Sequence, residues 1–112
     1  MSSGTIEPGL STEALQIHRA LASLQEELEA IDDYHQRADV STDADLKALL
    51  LHNRNDEMEH AAMLLEWLRR GLPEFDLQLR KFLFQPGDLV ALAPAGGPPA
   101  ANGAGLGLGR LK

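Results

Sequence analysis

The sequence predicts an all-α protein: a two-helix antiparallel hairpin followed by a short C-terminal helix, built to pair with a second copy as a four-helix bundle. Three observations predict it. Apolar residues recur at alternating steps of four and three through two long stretches. The breaks between stretches carry helix-starting and helix-stopping residues. Two long helices cannot enclose a bundle core alone, whereas two copies supply four.

Residues 1–10 contain Gly4, Pro8 and Gly9 and read as a flexible arm. Ser11 or Thr12 then caps a first helix whose opening turn holds Glu13. That helix runs to about Asp39, with its seam at Ile17, Leu21, Leu24, Leu28 and Ile31. Val40-Ser41-Thr42-Asp43 restarts the chain with a capping hydroxyl, and a second helix spans about 43–70, stopped by Gly71. Pro73 suits the first turn of a third, shorter helix bearing Phe75, Leu79, Phe82 and Leu83, which ends before Gln85-Pro86-Gly87-Asp88.

The helical domain is therefore expected over 11–92. Residues 93–105, rich in Pro, Ala and Gly, form a linker that buries too little surface to offset its ordering entropy. The closing residues 106–112 differ, because Leu106, Leu108 and Leu111 stand on Gly-rich backbone beside Arg110 and Lys112.

Composition narrows the chemistry. With no cysteine, disulfides, thiolate metal sites and cysteine nucleophiles are excluded. A net charge of -7, from 17 acidic against 10 basic residues, offers no footing for nucleic acid or an anionic membrane and favours divalent cations. The opening residues lack a basic start followed by an apolar run, and no apolar stretch approaches about 18 residues. A soluble intracellular protein is the expectation.

The second helix has a seam at Leu46, Leu50, Asn53, Glu57, His60, Leu64 and Trp67. Glu57 and His60 thus occupy positions that packing alone would fill with leucine. Burying both is costly unless something pairs them, and a metal ion does so through their lone pairs. Their Glu-x-x-His spacing puts both ligands on one helix face. Glu27, three residues after Leu24 and four before Ile31, borders the apolar face of the first helix, and Tyr34 follows seven residues on.

A carboxylate-bridged dinuclear site needs one Glu from each of two helices and Glu-x-x-His from each of the other two. This chain carries half of that set, so dimerisation would complete it. Four carboxylates with two imidazoles suit Fe(II), Mn(II) or, less selectively, Zn(II). The alternative is a surface-facing Glu57 and His60 on a helix packed through another stripe.

Weaker candidates surround this set. Glu26 and Glu29, with Asp33 a turn on, could hand on cations or simply be a solvated acidic face. His52, Asp56 and Glu59 share a face of the second helix as a secondary ion site or plain surface. Tyr34 is either a redox neighbour or a packing residue; His18 and His35 have no partner pattern, and Trp67 reads as core.

Gln25-Glu26-Glu27-Leu28-Glu29-Ala30-Ile31-Asp32, then His52-Asn53-Arg54-Asn55-Asp56-Glu57-Met58-Glu59-His60-Ala61, then Leu65-Glu66-Trp67-Leu68-Arg69-Arg70 resemble the encapsulated ferritins over about residues 13–85 and again at the tail. The resemblance implies a ferroxidase whose two-helix protomers pair into a ferritin-like four-helix bundle and assemble as a ring-shaped decamer. It implies Glu27, Glu57 and His60 as ligands of a di-iron centre with two Fe per dimer, Tyr34 as the nearby tyrosine, and Glu26 with Glu29 as an entry site. A peripheral ion site, holding Ca, Zn or Mn, would map onto His52, Asp56 and Glu59. Asp33 stands where a tryptophan is usual and Asp56 where a glutamate is common.

Residues 106–112 are similar to the targeting peptide by which cargo docks on an encapsulin shell, with Leu106, Leu108 and Leu111 filling pockets and glycines letting the backbone lie close. The implied location is the cytoplasm, inside an encapsulin nanocompartment, where Fe(III) mineralises for storage. Two other readings compete: a non-catalytic helical adaptor or cargo protein, and a manganese- or zinc-binding four-helix-bundle enzyme.

Overall fold

The structure is a computed structural model that describes residues 6–95. Four helices follow in order: α1, Thr12–Val40; α2, Ala44–Gly71; α3, Pro73–Phe82; α4, Leu89–Ala95. Residues 1–5, and the segment 96–112 with most of the expected linker and all of the expected targeting peptide, lie outside the described residues.

Before α1 the chain turns at Pro8-Gly9, where Gly9 has φ +81°, a left-handed conformation that glycine adopts without steric cost. Ser11 then caps α1, its Oγ accepting a hydrogen bond from the Ala14 amide at 3.0 Å. Glu13 in the first turn and Arg37 in the last complement the helix dipole. At Ser41 the backbone becomes extended, and the chain reverses.

The cap of α2 differs from the expected hydroxyl. The Asp43 carboxylate accepts from the Leu46 amide at 2.9 Å. A cap side chain must sit immediately before the first helical residue to reach the third amide. Only Asp43 does, while Ser41 Oγ donates to the Asp43 carbonyl at 3.4 Å. The stop of α2 is also different. Gly71 is the last helical residue rather than a left-handed terminator. The break falls at Leu72 (φ -131°, ψ 94°), which precedes Pro73 and is barred from helical geometry by the proline ring. Gly71 serves packing instead: a Cβ there would lie 3.3 Å from Ile17 Cδ1, tighter than ordinary contact.

α1 and α2 form the antiparallel hairpin that the sequence predicts. Its fully buried residues are Ala20 and Ala38 on α1 and Ala61 and Leu68 on α2. Ile17, Leu24, Ile31, Leu50 and Leu64 are half-buried, as seam residues should be. Leu21, Leu28 and Leu46 are exposed, and Trp67, expected in the core, is 48% exposed. The cause is geometric. With only one neighbouring helix, α2 buries a narrow stripe centred on Ala61 and Leu68, one seven-residue step apart, and Trp67 falls beside it.

From Leu72 onward the chain forms a separate unit. In it α3 and α4 contact one another, and Phe75, Leu79 and Phe82 are half-buried. Helix α4 is a feature that the sequence reading missed, and it carries three residues past the expected end of the helical domain at 92. Its start signal was present: Asp88 Oδ1 accepts from the Val90 amide at 3.4 Å, and the Asp88 carbonyl from Leu92 at 3.1 Å. Among the described residues no helix is long and apolar enough to cross a membrane.

Candidate metal centre

Midway along the hairpin, α1 presents Glu27 and α2 presents Glu57 and His60. One ligand atom from each lies within 4.8 Å of the others, and this is the metal-competent group of acidic and imidazole side chains among the described residues. The i, i+3 spacing of Glu57 and His60 brings His60 Nδ1 to 3.3 Å from Glu57 Oε1. The hairpin adds the third group, with Glu27 Oε1 at 3.4 Å from the same nitrogen.

That oxygen is informative. Glu27 Oε1 is buried and has no hydrogen-bond partner, because its 3.4 Å approach to His60 is an ion-pair distance without hydrogen-bond alignment. A buried acceptor left unsatisfied costs free energy, and a cation between the three groups would satisfy it. Two carboxylates and an imidazole are hard and borderline donors, which fits Fe(II) or Mn(II).

The protons at the site respond to the crowding. Hydrogen bonding with the Glu57 carboxyl, then burial and the Glu57 charge, push the Glu27 carboxyl above its ordinary value, against the influence of His60. Glu57 moves the other way, held down first by the hydrogen bond from Glu27 and then by His60. Of the two carboxyls, Glu27 is therefore the one that binds a proton more readily. His60 is raised, chiefly by its hydrogen bond to Glu57 and against burial. A metal ion competes with protons for these groups.

The other expected residues fall outside this group. Tyr34 is half-buried seven residues from Glu27, with the Arg37 guanidinium 5.8 Å from its ring centroid, a cation–π contact. Glu26, Glu29 and Asp33 are exposed on α1. On α2, His52 Nε2 pairs with Asp56 Oδ2 at 3.3 Å, but both are well exposed and Glu59 is not drawn into a common site with them. Sequence reasoning left His35 without a partner; the structure gives it Arg54, whose Nη1 stands 3.0 Å from His35 Nδ1 and ties α1 to α2. It also missed Glu66, whose carboxylate accepts from Arg69 Nε at 2.7 Å and Arg70 Nε at 2.6 Å and is held down to about 2. The i+3 and i+4 spacing was the available signal.

Comparison with known proteins follows the same residues. A family model described as EncFtn-like matches residues 5–86, which span the whole cluster. The encapsulated ferritin-like protein of Rhodospirillum rubrum is 46% identical over 125 aligned residues, covering 99% of this chain and 89% of that protein. A ferritin-like protein of Thermotoga maritima is 58% identical over 66 residues, 59% of this chain and 58% of its own length. Among solved structures, protein ne0167 of Nitrosomonas europaea is 52% identical with a TM-score of 0.74, covering 77% of this chain and 97% of its own.

Proposed function

Because the chain belongs to the EncFtn-like family, we propose that it is a ferroxidase, taking Fe(II) as substrate at a centre that two copies complete together. The observation that carries this reading is the convergence of Glu27, Glu57 and His60 around an unsatisfied buried oxygen. One copy offers two carboxylates and one imidazole, half of the set that holds a metal pair in a four-helix bundle. A second copy would supply the other half. The exposed Leu21, Leu28 and Leu46 are the apolar surface that such pairing would cover.

In this reading Fe(II) competes with protons for Glu27, Glu57 and His60, the carboxylates would hold two ions between the copies, and the imidazoles would cap them. Two Fe(II) lose one electron each. Dioxygen gains both, takes up two protons and leaves as hydrogen peroxide; peroxide as the acceptor instead yields water. Tyr34 is the aromatic neighbour of the centre, Glu26 and Glu29 guide incoming cations, and His52, Asp56 and Glu59 form at most a peripheral ion site. The pairs assemble into a decameric ring. The segment 106–112 docks through Leu106, Leu108 and Leu111 on an encapsulin shell in the cytoplasm, whose lumen stores the Fe(III).

Anaerobic Fe(II) titration followed by oxygen addition tests the reading, with Glu57→Ala in parallel. Two irons per dimer and fast Fe(III) formation, both lost in the variant, are expected. Oxidation no faster than in buffer would sink it in favour of a helical adaptor, and tight stoichiometric Mn(II) or Zn(II) without iron oxidation would favour the other metal enzyme.

A further inference from the structure

Away from the metal ligands, the hairpin carries a second concave feature. Glu59, Ala62, Met63, Glu66, Trp67 and Arg70 of α2 line an open groove of about 400 Å³. That size falls in the range of small ligand pockets, roughly 300–1,000 Å³. Its floor is apolar, and Met63 and Trp67 stay 58% and 48% exposed in it. Exposed methionine and tryptophan in one depression are the composition of a recognition surface rather than of plain solvated helix. The rim is acidic on balance: Glu66 is taken up by Arg69 and Arg70, while Glu59 makes no ion pair among the described residues.

We propose that this groove receives the segment Leu106–Lys112 of another copy of the chain. Past Asp88 the sequence contains no acidic residue, so Arg110 and Lys112 give this stretch a positive charge on a chain whose net charge is -7. Its three leucines match an apolar floor, and its two cations match the Glu59 side of the rim. Glycines at 105, 107 and 109 let backbone approach a helix surface that larger residues would hold off. Residues 96–105 supply a Pro- and Gly-rich tether that spans at most about 3.3 Å per residue when extended. The inference is independent of iron oxidation. It gives the segment a second berth, so that leucines seated on a neighbour are withheld from any other host until that host competes them away.

Trp67 is the single tryptophan of the chain and reports directly on the groove. The receptor is the full-length chain carrying Leu106→Ser, Leu108→Ser and Leu111→Ser, changes outside the described residues. The probe is a synthetic peptide of residues 104–112, which contains no aromatic residue. A saturable blue shift of Trp67 emission with reduced acrylamide quenching is the expected result. A peptide with Arg110→Glu and Lys112→Glu should bind about tenfold more weakly at low salt, the gap closing near 1 M salt, where the screening length falls to about 3 Å. Met63→Glu in the receptor should abolish the shift while leaving the helical circular dichroism unchanged. No shift with the natural peptide, or equal shifts with both peptides at low salt, would overturn the proposal. So would emission that depends on receptor concentration but not on peptide, which would assign the groove to a second hairpin.

Discussion

Lowering the pH should weaken Fe(II) binding by proton competition, and the structure sets the slope. Each copy places one imidazole nitrogen, His60 Nδ1, between two carboxylates at 3.3 and 3.4 Å. Those carboxylates raise its proton affinity above the ordinary histidine value of 6.5. Below the raised value a metal must expel that proton, one per ion, so the apparent affinity should fall about tenfold per pH unit, or 1.4 kcal/mol per unit. Above it the imidazole carries no proton to expel, so the dependence on His60 flattens. Anaerobic isothermal titration from pH 8 to 5.5, in buffers of different ionisation enthalpy, reads both the affinity and the protons released. Glu57→Gln removes the largest cause of the His60 shift, so the break should move to lower pH even as the overall affinity drops. A flat affinity between pH 7.5 and 5.5, or binding without proton release, would refute the claim that His60 Nδ1 is a ligand.

Other outcomes follow from the same coordinates. Leu68 is the largest fully buried side chain of the hairpin, so Leu68→Ala should cost about 2–5 kcal/mol, seen as a midpoint shift in urea followed by circular dichroism; a change under about 1 kcal/mol would show that the site collapses freely. Asp43→Ala removes the α2 cap and should cost about 1 kcal/mol, whereas Asp43→Asn, which keeps an acceptor, should cost much less. Glu66 has its carboxyl depressed to about 2 from 4.5, so its stabilising contribution is present above pH 4.5 and is lost as the pH falls towards 2. Thermal melts across that window should be less pH-dependent for Glu66→Gln than for the parent, and identical slopes would rule out the Arg69–Arg70 clamp.

Most of the hairpin was legible because its signals are local. The Ser11 cap and Pro73 act within one or two turns and both reappear in the structure, while the four-three apolar spacing reappears in part, with Ile17, Leu24 and Ile31 half-buried and Leu21 and Leu28 exposed. The trio of Glu57, His60 and Glu27 was legible for a related reason: charged groups at seam positions are expensive, so their presence calls for a ligand. What sequence misjudged depends on how many neighbours a helix has. Trp67 and Leu46 lie on the seam of a helix packed on two sides, but within the hairpin α2 packs on α1 alone, and both stay exposed. The tie from Arg54 to His35 crosses between helices and could not be read before the hairpin was assembled. Helix α4 escaped because its Asp88 cap precedes a short Ala- and Leu-containing run ending in Pro94, a composition that equally suits a linker. His52 and Asp56 pair through their i, i+4 spacing, a contact the sequence spacing made legible.

Three of the four buried side chains of the hairpin are alanines. Such residues let two helices approach closely but withdraw little apolar surface from water, each methyl contributing only about 0.8 kcal/mol. A solitary copy therefore gains less from its buried core than a pair would, and chains that open are the ones proteases cut. Under the pairing proposed above, the abundance of this protein becomes a function of its own synthesis rate: copies that meet a partner quickly persist, and surplus copies are cleared.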